Sequence, residues 1–182
     1  QRANVAAGIL KGISLTDNFA KLVLFCGHGS STKNNPYASG LDCGACGGHK
    51  GDANARLAAG LLNESDVRVE LAARGIEIPE NTTFIAGLHN TTTDVVDLFD
   101  LESVDVRLVA ELREALDQAG ALTAMERSVH LDAAAGASDV LGAVRGRSAD
   151  WSQVRPEWGL AGNAGFIVAP RTWTAGASLK GR

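Results

Sequence analysis

The stretch Lys21–Ser30, KLVLFCGHGS, constrains the fold more than any other part of the chain. It is a short apolar run that stops at Gly27. Such a run fits a strand buried on both faces, as in a parallel sheet, whose C-terminal end opens into a loop. That loop is unusual. Between Phe25 and Gly51 it gathers all three cysteines of the chain, with His28 and His49 and repeated glycines.

Two further apolar runs are separated from the first by helical patterns. Strands are expected at about 20–26, 82–88 and 165–169. Gln1–Ile13 reads as the inside of an Ala-rich helix, and a chain opening on Gln is expected to be a piece of a longer protein. In GDANARLAAGLL, Asp52 is expected as N-cap, with Leu57, Leu61 and Leu62 on one helical face. A helix over about 66–73 is expected to end at Arg74-Gly75 before Pro79. Val104, Leu108, Leu112 and Leu116 recur at spacings of four, and Gly120 reads as the helix stop, with a continuation past a break through LTAMERSV. A polar loop is expected after Leu88, and a further helix with an exposed connection within 131–150. The alternation predicts one α/β domain over residues 1–182, with a mainly parallel sheet flanked by helices.

Bulk properties narrow the function. The net charge of −4 and the scatter of basic residues give no nucleic-acid surface. No apolar run approaches the ~20 residues of a membrane span. Three cysteines cannot all pair internally, which favours metal-binding or buried thiols in a reducing compartment.

His28 stands one residue past Gly27, where open α/β sheets bind ligands. Imidazole and thiolate together suit zinc. Cys43-Gly-Ala-Cys46 has the C-x-x-C spacing of metal or redox work. Plainer readings stand beside these. His28 reads equally as a hydrogen-bonded strand-end histidine, Cys26 as a buried small hydrophobe, and Cys46 as packing or ligand. His49 reads as a surface or supporting residue, His89 as a loop histidine that could share the crevice, and Arg155 with Glu157 as an ion pair fixing the last strand. If Cys26, His28, Cys43 and Cys46 closed one tetrahedral site, the chain would be a structural zinc module. With all thiols merely buried, it would be a partner-docking domain.

Three blocks carry a resemblance: GHGSSTKNNPYASGLDCGACGGHKGDANAR, LHNTTTD and DWSQVRPEWGLAGNAGFIVAPR. Together they resemble the C-terminal half of the DabA family, large proteins that pair with a proton-antiporter-like membrane subunit to accumulate inorganic carbon. That family is similar to β-type carbonic anhydrases. The resemblance implies a β-carbonic-anhydrase-like fold, a Zn2+ cofactor, hydration of CO2 to bicarbonate, and a peripheral place on the cytoplasmic face of the inner membrane. It implies His28 and Cys43 as metal ligands, with Cys46, His49, Asn34 and Asn35 as candidates to support them. The other two ligands implied are a Cys-x-Asp pair in the N-terminal half. This chain has no such pair: Cys26, Cys43 and Cys46 are followed at the second position by His28, Ala45 and Gly48.

Overall fold

The computed structural model describes residues 1–31, 33, 38–131, 138–157 and 168–176. Helix α1 (Arg2–Gly12) precedes strand β1 (Leu22–Gly29), and α2 (Asp52–Asn63) and α3 (Ser65–Ala72) follow the cysteine loop. Strand β2 (Thr83–Asn90) turns into β3 (Val95–Phe99), and the long α4 (Val106–His130) and short α5 (Val140–Gly146) follow. The described sheet has the order β1-β2-β3. Strands β1 and β2 are parallel, with Phe25 opposite Ala86 and His28 opposite His89. Strand β3 joins antiparallel, so the described sheet is mixed. The expected α/β class, a sheet flanked by helices, is what the chain forms.

One face of the sheet carries the core. Ala3, Ala6, Ala7 and Leu10 make a stripe on α1 that meets Ala55, Ala59 and Leu62 of α2 and Val67 and Leu71 of α3. Alanine on α1 and α2 permits close approach, and fully buried Leu10, Leu62 and Leu71 each contribute about 1.5–3 kcal/mol of burial. Phe84 on β2 anchors this layer against the rings of Phe19 and Phe25, at centroid distances of 6.1 and 5.9 Å. Asn63 at the end of α2 then bridges to β2, donating to the Phe84 carbonyl at 2.7 Å and accepting from its amide at 3.0 Å.

Several local expectations are corrected. The N-cap of α2 is Gly51, with Asp52 in the first turn and no side-chain cap; there its carboxylate complements the helix dipole. Leu57 is 70% exposed, because the buried stripe runs through Ala55, Ala58, Ala59 and Leu62. The stretch after Leu88 is not a loop: β2 continues to Asn90, and a turn leads into β3. The expected strand at 165–169 lies mostly outside the described residues, and Val168 and Ala169 are not in a strand.

Gly120 does not end the helix. α4 runs through it to His130, starting from Asp105, whose carboxylate accepts from the Arg107 amide at 2.8 Å. Gly120 is buried, and a methyl group built there would lie 2.8 Å from the Asp94 carbonyl oxygen. The residue is small so that α4 can lie against the β2–β3 turn. Gly→Ala inside a helix ordinarily stabilises by about 1 kcal/mol. Gly120→Ala is expected to do the opposite and lower the denaturant midpoint, while Gly146→Ala, with nothing within 4 Å of the added methyl, is not.

Candidate functional site

The site forms where β1 ends. Successive strand residues point to opposite faces, so Val23 and Phe25 join the α1–α3 core while Leu24, Cys26 and His28 turn toward α4. Cys26 is exposed, not buried as its apolar context suggests.

Cys43 lies fifteen residues beyond His28 in sequence, and three closures bring its loop back. Asp42 accepts from the Ser30 amide at 2.8 Å and from the Ser30 hydroxyl at 3.3 Å. The Cys43 amide donates to the His49 carbonyl at 3.1 Å, and the Gly48 amide donates to the Cys43 carbonyl at 3.0 Å. The Gly51 amide donates to the His28 carbonyl at 2.9 Å. Gly51 then begins α2 pressed against Gly27: a methyl built on Gly27 would lie 2.3 Å from the Gly51 carbonyl oxygen. Both glycines are required by this contact between backbones.

The result is a cleft of about 360 Å³ lined by His28, Cys43, Cys46, Gly51 and Asn54. The two candidate ligands therefore share one cleft. The Asn54 side-chain amide, from the first turn of α2, donates to the Cys46 sulfur at 3.2 Å. Cys46 and Cys43 share a hydrogen bond, which holds the Cys43 thiol below its ordinary range and pushes Cys46 above it. His49 reaches Cys43 through a backbone bridge. Asn34 and Asn35 lie outside the described residues.

His28 also borders a second cavity, of about 440 Å³, on the α4 side of the sheet, together with Cys26, His89, Asp94 and Arg127. His89 is the register neighbour of His28, one residue before the end of β2, so the two imidazoles stand side by side on the sheet. The His89 Nε2 lies 3.0 Å from Asp94 Oδ1, and the other Asp94 oxygen pairs with Arg127 at 2.9 Å. Asp94 and Arg127 are both buried. Sequence patterning gave Arg127 no special place, since a charged residue late in an amphipathic helix reads as solvent-facing. Asp42 was also missed, although an Asp inside a glycine-rich turn is a ready acceptor for backbone amides.

Arg155 and Glu157 do pair, as expected. Their attachment is different from the one expected. Glu157 accepts from the Thr92 hydroxyl at 2.6 Å, and Thr92 Oγ1 accepts from the Ser31 amide at 3.3 Å. The pair thus ties the C-terminal region to the β2–β3 turn and to the loop that follows His28.

The fold is thus an α/β protein in which an imidazole, His28, and a thiol, Cys43, line one cleft at the end of β1. The comparison with known proteins makes this specific: the model of the family described as "Probable inorganic carbon transporter subunit DabA" matches residues 1–182, and the chain belongs to that family. It is 57% identical to the protein of that name from Roseiflexus castenholzii and 55% identical to one from Bradyrhizobium sp. strain BTAi1. It is 52% identical to another from Halothiobacillus neapolitanus. Each match covers the whole chain but 22% of the relative's length. No solved structure matches. Among the described residues, no helix is long and apolar enough to cross a membrane.

Proposed function

We propose that the intact protein is the zinc-dependent, carbonic-anhydrase-like subunit of an inorganic carbon uptake system. It lies peripherally on the cytoplasmic face of the inner membrane and is energised through a proton-antiporter-like membrane subunit. Carbon dioxide is the substrate and bicarbonate the product. The observation that carries this reading is the convergence of His28 and Cys43 on one cleft at the end of β1, in a chain of the DabA family.

The residues present fit zinc as half of a site. An imidazole and a thiol held below its usual pKa are the right donors. A catalytic zinc takes three protein ligands or more, and no three His, Cys, Asp or Glu side chains are grouped for a metal among the described residues. On this reading the remaining donors come from outside residues 1–182. When bound, zinc supplies an acidified water at neutral pH, which is the nucleophile that carbon dioxide needs. The chain's own part is to hold donors. His28 is fixed by the Gly51–His28 backbone bond, and Cys43 by the Asp42 anchor and by its bond with Cys46. Asn54 holds Cys46 by donating its side-chain amide to the Cys46 sulfur.

Elemental analysis and CO2-hydration assays on the intact protein and on residues 1–182 alone test the proposal. The intact protein is expected to hold zinc, and the 182-residue chain to bind it weakly and to leave CO2 hydration at background. One tightly held zinc in the isolated chain would replace this reading with that of a self-contained structural zinc module.

A further inference from the structure

The turn from Cys43 to Cys46 holds a chemistry that the donor role of Cys43 does not use. The Cys46 amide donates to the Cys43 carbonyl at 3.1 Å, closing a single 3-10 turn. An i to i+3 turn of this kind keeps its first and last Cα atoms within about 7 Å, and a disulfide spans about 4.4–6.8 Å between Cα atoms. Both side chains line the same cleft at the end of β1. Both are free thiols and both are partly open to solvent. Cys26 lies on β1 and is not part of this turn.

We propose that Cys43 and Cys46 form a reversible dithiol–disulfide site, oxidised by small-molecule disulfides of the glutathione class. One of the two sulfurs, as thiolate, attacks a sulfur of the oxidant. A mixed disulfide forms and one small thiolate leaves. The second sulfur of the turn then attacks the mixed disulfide, the internal S–S bond forms, and a second small thiolate leaves. Two protein thiols are oxidised, one small disulfide is reduced to two thiols, and the two protons released are taken up by the departing thiolates. The second attack is intramolecular across one turn and needs little backbone movement. A consequence rests on the zinc reading above: the disulfide removes the thiolate that Cys43 would offer a metal, because the thiolate is the ligand form.

The test uses the intact protein, stripped of metal with a chelator and equilibrated in buffers from fully reduced to fully oxidised glutathione. Differential alkylation with peptide mass spectrometry reads each cysteine. Cys43 and Cys46 are expected to lose alkylation together, Cys26 to remain alkylated, and reductant to restore both. Cys46→Ser is expected to accumulate a glutathione adduct on Cys43 without an internal bond. Two thiols that stay alkylatable in fully oxidised buffer, or a disulfide to Cys26, would overturn the proposal, and the unmutated protein alone decides this. Repeating the oxidation with zinc restored separates the two readings. Oxidation at least about tenfold slower with zinc supports both. An equal rate with and without zinc supports the redox site and counts against Cys43 as a ligand. Zinc retained with no disulfide under any buffer refutes the redox site alone.

Discussion

Replacing His28 or Cys43 by Ala in the intact protein is expected to abolish zinc retention and carbon uptake together. Each side chain would be one of few donors, and a site that loses one keeps too few to hold the ion at trace concentrations. The chemistry fails for the same reason, since the acidified water depends on the bound charge. The two losses should therefore coincide in every preparation. Cys46→Ala should be much milder. Cys46 is not one of the proposed donors but sits in the same turn as Cys43, and supporting contacts at a metal site carry roughly 10–100-fold in metal affinity. Zinc content and bicarbonate accumulation, measured on the same complexes, decide the order. A Cys43→Ala protein that keeps both, beside a Cys46→Ala protein that loses both, would reverse the assignment within the C-x-x-C turn.

How much of this was legible depends on the range of the interaction behind each feature. Strands β1 and β2 were readable from their short apolar runs, although only β2 is buried as expected and β1 is half-exposed along most of its length. Strand β3 was not. Val95–Phe99 is half exposed, and the turn before it is made by Asp94 at φ +57°, a conformation that the residue type allows without announcing. Gly120 misled because glycine is both the commonest helix stop and the only residue that fits beneath the Asp94 carbonyl. Leu57 misled because spacing alone does not say which neighbour a helix face meets, and here alanines fill the contact. The candidate ligands were visible as residue types near a strand end. What brings them to one cleft was not, because the Asp42–Ser30 and Gly51–His28 contacts join residues that no short-range pattern relates.

Gly27→Ala is expected to damage the site nearly as much as removing a donor, although it touches none. The added methyl would sit 2.3 Å from the Gly51 carbonyl oxygen and 2.4 Å from its carbon. Real contacts of this kind do not exist, so β1 and the start of α2 must separate. Neither side gives easily. On the β1 side, Gly27 is paired with Leu88 in the sheet. On the α2 side, the Gly51 carbonyl accepts from the Ala55 amide at 3.1 Å in the first helical turn, and Ala55, Ala59 and Leu62 are locked into the core. The compliant element is the loop between them, whose return to β1 depends on the Gly51–His28 bond. Relief by moving the loop carries Cys43 away from His28. Zinc affinity should then fall by about 10–100-fold, the range seen when a supporting contact at a metal site is lost. Gly44→Ala is the matched control. It lies between Cys43 and Cys46, closer in sequence to the donors, yet an added methyl meets nothing within 4 Å. That substitution should leave stability within about 0.5 kcal/mol and zinc content unchanged. Equal zinc content in the two variants would show that the contact between Gly27 and Gly51 does not set the distance between the donors.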